Sequence, residues 1–286
     1  MKKIYLLTPL LIFLVSIMSV NNVHAAFSPF HFDDSKIDVG SLYHYIASDI
    51  NGKNPIDVYL YIKSKDTIII YKDYSKTLNE VLIMDYVFDW KHMMGKSYYS
   101  YNPLNTKHLP GVGVEYTQTV DFNKKKIKIK SVENNKSGKP MVYNFLINYR
   151  KEPCFDYGPT FHFDLQFAFR FLKDSARNFS IGNNVMQRYV ESDVKYIKTE
   201  TINHIICKKY EIKAHGLLGI IFNAKGYLWI ADKDPRHYMV KYMNYQQKNK
   251  MWRNFKLELW EIKKMSEAEW EHKKNQMIEQ ANKEVH

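Results

Sequence analysis

The feature that most constrains this 286-residue sequence is a period-two alternation recurring over much of its length. Ile56, Val58, Leu60 and Ile62 alternate with Asp57, Tyr59, Tyr61 and Lys63. Successive side chains of an extended strand point to opposite faces, so this pattern predicts a strand with one aliphatic and one mixed face. Leu82, Met84, Tyr86, Phe88 and Trp90 share one side of the next long strand, with Val81, Ile83, Asp85, Val87 and Asp89 on the other. Ile127 and Ile129 alternate with Lys126, Lys128 and Lys130. Turn-forming pairs such as Asn51-Gly52, Pro110-Gly111 and Ser137-Gly138 separate these runs, which is the pattern of an antiparallel meander. No crossover helix interrupts Ser41 to Tyr149, so a doubly wound α/β fold is disfavoured.

The texture changes at Lys151 to Gly158, where Pro153, Gly158 and Pro159 mark a connection. Phe161, Leu165, Ala168, Phe169 and Leu172 then recur at helical spacing, which predicts an amphipathic helix over 161–173, with a buried strand as the alternative. Strands resume from about Val185 to Ile262. In the last of them Phe255, Leu257 and Leu259 share one parity while Trp260 and Ile262 share the other, so a β-bulge is predicted at Leu259 and Trp260. Ser266-Glu-Ala-Glu269 is a capping-box pattern that opens a helix. Trp270, Met277, Ile278, Ala281 and Val285 lie on one side of it, and it is expected to close one edge or mouth of the sheet. The expected fold is mainly β (α+β): a large curved antiparallel sheet or half-open barrel over 41–262, with a central helix and a C-terminal helix over 266–285. One continuous sheet is preferred to two pseudo-related lobes.

The N-terminus sets the compartment. Met1-Lys2-Lys3 precedes an apolar run from Leu10 to Val20, and Val23-His24-Ala25 has the small-residue pattern of a cleavage site. These are the three parts of a secretory signal peptide. Cutting after Ala25 leaves 261 residues with a formal charge of +10 instead of +12, led by a segment over 26–40. The expected location is the periplasm, with secretion to the exterior as the other outcome. No cysteine lies near the cut, so no lipoprotein-type anchor is expected. After the leader no apolar run approaches the roughly 18 residues of a spanning helix. Lysines on strand faces and a charged C-terminal helix argue against an outer-membrane barrel. The 22 Tyr, 16 Phe and 5 Trp supply ample surface to bury, which argues against general disorder. The lysines are spread along strands and turns. A solvated face explains most of them, and an anionic envelope surface is the partner expected of an exported basic protein, rather than nucleic acid.

Motifs with chemistry are few. There is no Gly-x-Ser-x-Gly elbow or His-Glu-x-x-His, and Gly111-Val-Gly113 lacks a third glycine, so no hydrolase, zinc-protease or dinucleotide signature is present. No cofactor, metal or catalytic residue is assigned. His162 and His237 are isolated and read first as packing or rim residues. Asp85 and Asp89 share a face, but a strand separates them by about 13 Å, wider than the roughly 5–9.5 Å of a glycosidase carboxylate pair. Cys154 and Cys207 are the only cysteines. In an oxidising compartment they are a candidate disulfide closing a 54-residue loop, against the alternative of a loop thiol and a buried strand thiol.

Gly40-Ser-Leu-Tyr-His-Tyr45 followed by Asn51-Gly52, and Gly226-Tyr-Leu-Trp-Ile-Ala-Asp232 with Pro235-Arg-His-Tyr-Met-Val-Lys241, resemble a family of exported Gram-negative proteins known only as a domain of unknown function. That family is similar to the half-open barrels of the periplasmic lipoprotein carriers. The resemblance implies a strongly curved antiparallel sheet with a helix against its concave side, and it brings no catalytic residues. This chain has an additional strand-rich region relative to the compact carriers.

Three functional classes follow. The first is a non-catalytic periplasmic binder of an apolar ligand, a lipid or acyl chain, with Leu82, Met84, Tyr86, Phe88, Trp90, Phe161, Leu165 and Phe169 as the candidate ligand face. The second is an envelope scaffold or protein-interaction module using sheet edges or the C-terminal helix. An enzyme acting on lipid or glycan is third. Packing is the usual fate of an aromatic stripe, so the ligand face competes with a filled core.

Overall fold

The computed structural model describes residues 35, 37–89, 94–104, 114–121, 126–134, 140–148, 179–183, 190–214, 225–245 and 254–285. The first half of the chain forms β1 (Ser41–Asp49), β2 (Ile56–Ile62), β3 (Thr67–Tyr74), β4 (Glu80–Asp89), β5 (Met94–Tyr101), β6 (Val114–Asp121), β7 (Lys126–Asn134) and β8 (Pro140–Asn148). The second half forms β9 (Phe179–Asn183), β10 (Val190–Ile202), β11 (Ile205–Ala214), β12 (Lys225–Ala231), β13 (Met239–Tyr245) and β14 (Phe255–Lys264). A one-turn helix α1 (Ser75–Leu78) joins β3 to β4, and α2 (Glu267–Val285) follows β14.

All fourteen strands belong to one sheet in the order β8-β7-β6-β5-β4-β3-β2-β1-β14-β13-β12-β11-β10-β9. Each half is a sequential antiparallel meander, as its short turns require. The halves meet where β1 pairs antiparallel with β14 from Ser41↔Lys264 to Asp49↔Phe255. One ladder therefore carries both halves, and the expected single sheet replaces the alternative of two lobes. The ladder ends at β8 on one side and β9 on the other.

The predicted bulge is present. His44 pairs with Glu261 and Tyr45 with Leu259, leaving Trp260 as the extra residue on β14. The insertion lets Leu257 and Leu259 keep the same face as Ile262 despite their opposite parity, and leaves the Trp260 side chain 74% exposed. Gly40 turns the chain into β1 with φ +81°, and a Cβ there would stand 2.9 Å from the Met265 carbonyl oxygen. Both the left-handed backbone and the close approach require glycine. This corner is also tied by Asp38, which accepts hydrogen bonds from Ser41 and Lys264 and lies 3.7 Å from Arg236.

Alternation gives the sheet two apolar faces. The inner face joins Tyr43, Tyr45, Val58, Leu60, Ile62, Ile68, Ile70, Met84, Tyr86 and Phe88 of the first half to Tyr210, Ile212, Leu228, Ile230, Met239 and Tyr242 of the second in one buried cluster. The outer face of β1–β4 forms a second cluster, in which Leu42, Tyr61, Ile69, Tyr71, Val81 and Ile83 pack with Trp270 and Ala281 of α2. On the mixed face of β2 expected from sequence, Tyr61 is buried and Tyr59 half-buried beneath the helix, while Lys63 stays exposed.

The capping box forms as its sequence predicts. Ser266 N–H and Oγ donate to Glu269 Oε2 at 2.6 and 2.8 Å, and Glu269 N–H donates back to Ser266 Oγ at 3.3 Å. Met277, Ile278 and Val285 join Trp270 and Ala281 against the sheet, the side read from the sequence. The placement differs from expectation. Helix α2 lies across the outer face, with Trp270 stacked on Tyr61 at 5.2 Å, and does not close an edge. The reason is area: an edge strand offers a row of backbone groups, whereas this aromatic face would otherwise leave several large rings in water. At the far end of the helix Ser75 donates to Asp73 and Glu284 at 2.6 and 3.0 Å, clamping α2 to α1.

Tyr71 lies in this second cluster with no exposure, and its hydroxyl has no hydrogen-bond partner among the described residues. A buried unpaired hydroxyl is destabilising by about 1–3 kcal/mol. Tyr71→Phe is therefore expected to leave stability unchanged or raise it within that range, measured as a rise in the urea midpoint at constant m-value. A clear fall would show that the hydroxyl has a partner.

Candidate functional site

The candidate ligand face is assembled by β4 and its neighbours. Met84, Tyr86 and Phe88 project to the inner face, where all three are buried, and Leu82 packs beside them half-buried. Tyr86 and Phe88 meet edge-tilted with ring centroids 4.3 Å apart. Across the ladder Met84 pairs with Ile70 and Tyr86 with Ile68, and these isoleucines pair with Leu60 and Ile62. The result is a continuous aliphatic and aromatic surface from β2 to β4. Trp90, Phe161, Leu165 and Phe169, the other members of the expected face, lie outside the described residues, as does the predicted helix over 161–173.

Tyrosines extend this face toward the second half. Tyr45 donates its hydroxyl to the Met239 carbonyl at 3.0 Å, and the rings of Tyr43 and Tyr238 approach to 6.2 Å. Both contacts run from β1 to β13 or the residue just before it, passing over β14. Direct contact across an intervening strand requires the sheet to bend there. Tyr242 is wholly buried, and burial alone drives its phenol far above the usual range. Its hydroxyl lies 3.0 Å from where a Cβ on Gly226 would be, so the glycine makes room for the ring. No helix among the described residues contributes to this inner cluster.

The remaining residues singled out from sequence have structural settings. Cys207 is a free, fully buried thiol that donates to the Ile205 carbonyl at 3.3 Å, and burial pushes it up to about 11; Cys154 lies outside the described residues. His237 adopts φ +43° in the turn before β13 with Nδ1 3.1 Å from the Ala231 carbonyl. His162 lies outside the described residues. Asp85 projects to the outer face near α2, where burial raises its carboxyl and the Lys274 and Lys63 ammonium groups oppose that rise. Among the described residues no three His, Cys, Asp or Glu side chains are placed to hold a metal ion.

Two arrangements escaped the sequence reading. On the outer face His44 Nε2 donates to Asp57 Oδ1 at 2.6 Å and the imidazole stacks on Tyr59 at 4.2 Å. Tyr59 also lies 5.2 Å beneath the Lys273 ammonium of α2, and burial pushes its phenol up to about 12. Alternation on β1 and β2 was readable, but the facing of His44 and Asp57 depends on the hairpin register. The second is a charged aromatic row in which Trp229 lies between Lys209 and Lys241, with ammonium-to-ring distances of 4.6 and 5.7 Å.

The His44 hydrogen bond is the largest influence on Asp57 and holds its carboxyl below the usual range. A carboxyl with a depressed folded-state pKa stabilises the fold above its unfolded value, about 3.9, and that contribution is lost as pH falls through the folded value. Asp57→Asn is expected to be less stable at pH 7 by under about 1 kcal/mol, because the pair is partly solvated. The deficit should vanish in acid below the folded pKa. Urea unfolding at the two pH values checks the sign.

No protein-family model matches the chain, and no curated protein sequence matches it. Solved structures similar to it at low identity include these two. One is a β-barrel-like protein of a domain of unknown function (DUF1849) from Brucella abortus, 7% identical, covering 79% of this chain and 97% of its own, with a TM-score of 0.32. The other is a protein with a YmcC-like fold, thought to be exported, from Bacteroides fragilis; it is 14% identical, covers 83% of this chain and 100% of its own, and has a TM-score of 0.27.

Proposed function

We propose that this is an exported, non-catalytic protein that holds an apolar ligand, a lipid or acyl chain, against the inner face of its sheet. The observation that carries the reading is the inner cluster itself: a continuous apolar array from β2 through β4 and from β10 through β13, joined by Ile37 and Tyr238 and with no helix contributing among the described residues. Such a surface, bent on itself at the β1–β14 seam, offers an elongated apolar guest dispersion contacts along its length and few polar groups that would need partners. The three-part N-terminal signal supports export to the periplasm, where lipids and acyl chains are carried between membranes. Trp90, Phe161, Leu165 and Phe169 are assigned to the same face.

Native mass spectrometry after mild purification should show a co-purifying lipid mass, and a fluorescent fatty acid should bind and be displaced by oleate. Leu82 is half-buried on the proposed face, so Leu82→Glu places a charge there with limited damage to the core. It should weaken the fluorescent probe by roughly tenfold or more, the effect of setting a carboxylate against an acyl chain. Absence of any bound lipid together with no probe binding by the folded protein would sink the reading.

A further inference from the structure

We propose that the outer face of β10–β14 docks on an anionic phospholipid surface. This face lies opposite most of the inner cluster, although Trp229 and Cys207 on it are buried members of that cluster; no described element covers it, whereas α2 covers the equivalent face of β1–β4.

Its charges are arranged unfavourably for an isolated sheet. Lys198 sits directly opposite Lys209 across β10 and β11, and Lys213 sits directly opposite Lys225 across β11 and β12. Like charges in facing positions destabilise a sheet. Glu211 lies 3.9 Å from Lys225, and the other two paired carboxylates are each shared. Glu200 lies 2.5 Å from Lys198 and 3.9 Å from Lys209, and Glu258 lies 2.7 Å from Lys241 and 2.8 Å from Lys256. Five lysines thus divide three carboxylates, and with Lys195 and Lys213 added the face keeps an excess of positive charge. The Trp229 ring, flanked by Lys209 and Lys241, donates its indole N–H to Glu200 at 2.5 Å. This contact spaces and orients the ammonium groups along a row running across the strands.

A row of fixed lysines on a broad sheet face complements a plane of phosphate groups. What selects a bilayer over a soluble polyanion is Trp260. The β14 bulge pushes it outward to 74% exposure, two residues beyond Glu258. An indole held in water on the strand that also carries Lys256 and Glu258 is suited to the headgroup region, where its amphipathic ring is stabilised.

The proposal is independent of ligand binding on the inner face. The test is sedimentation of the purified processed protein with phosphatidylcholine vesicles, with and without phosphatidylglycerol. Binding is expected only with the anionic lipid and should weaken steeply with added salt. Lys195, Lys213 and Lys225 lie on this face and are at least partly exposed. Replacing all three by Gln should weaken binding by on the order of a hundredfold, at about fivefold per lysine. Trp260→Ser should weaken binding while leaving its salt dependence unchanged. Lys53→Gln with Lys283→Gln, which removes charge elsewhere, should leave binding intact. Equal loss in that control, no binding to anionic vesicles, or binding to soluble heparin that the vesicles cannot compete away would each overturn the proposal. Fluorescent fatty-acid binding by the same variants reads the inner face separately, so failure of one reading is distinguishable from failure of the other.

Discussion

Trp270→Ala should lower the unfolding free energy by about 3–5 kcal/mol, read as a drop in the urea midpoint, and should free α2 from the sheet. Trp270 is the largest fully buried side chain and the anchor of the second core. Its removal opens a ring-sized cavity and ends a stack with Tyr61 whose planes lie 15° apart, an aromatic contact that adds about 0.5–1.5 kcal/mol beyond area. What remains, the buried Ala281, the partly buried Met277, Ile278 and Val285 and the Ser75–Glu284 hydrogen bond, is a weaker hold on the helix than the indole. Hydrogen exchange along 267–285 should then approach that of an unfolded segment, while β2–β4 stay protected. Trp270→Phe provides the contrast. The indole N–H finds no acceptor among the described residues, so the smaller ring removes a desolvated donor along with some packing, and its effect should be much less than that of alanine. If the two substitutions were equally damaging, an unseen hydrogen bond and not the stack would be the anchor.

Leu257→Pro should prevent the chain from folding at all, whereas Leu257→Ala should cost about 2–5 kcal/mol and leave a folded protein. Leu257 is buried in the inner cluster and has neighbours on both sides, Ala47 of β1 and Tyr242 of β13. Proline removes the N–H and forbids a central ladder position. At this place the defect separates the two meanders from each other, beyond weakening a single strand pair. Circular dichroism and gel filtration of the two variants, prepared identically, measure the difference. A soluble, cooperatively unfolding proline variant would mean that the halves fold and persist apart.

The parts of this architecture legible in the sequence are those set within a few residues. Parity along β2 and β4 separates Val58, Leu60 and Met84 from Tyr59, Tyr61 and Ile83, and both groups land on the faces expected. The change of parity within Phe255 to Ile262 identifies the bulge because one inserted residue reverses every side chain beyond it. Ser266 and Glu269 announce the helix by their three-residue spacing. What could not be read are the relations between distant segments. Nothing in Ser41–Asp49 says that its partner is 255–264, or that Tyr45 will reach Met239. Tyr61 belongs to the face of β2 read as mixed, and only the arrival of α2 makes it core. Met84, Tyr86 and Phe88 were recognisable as sharing a face, but alternation cannot tell a wall of a container from the filling of a core. The lysines of β10–β14 look dispersed along the chain and become a row only when hairpin registers bring them side by side.

The pairing of the earliest strand with the last has a temporal consequence. While the polypeptide is being made, β1 has a partner on one flank only, and the strand that completes its pairing is the last of the described strands to arrive. Contacts separated by some two hundred positions form slowly because a long loop must close before they reward it. Completion of the sheet is thereby delayed by connectivity alone until β14 is available to pair with β1.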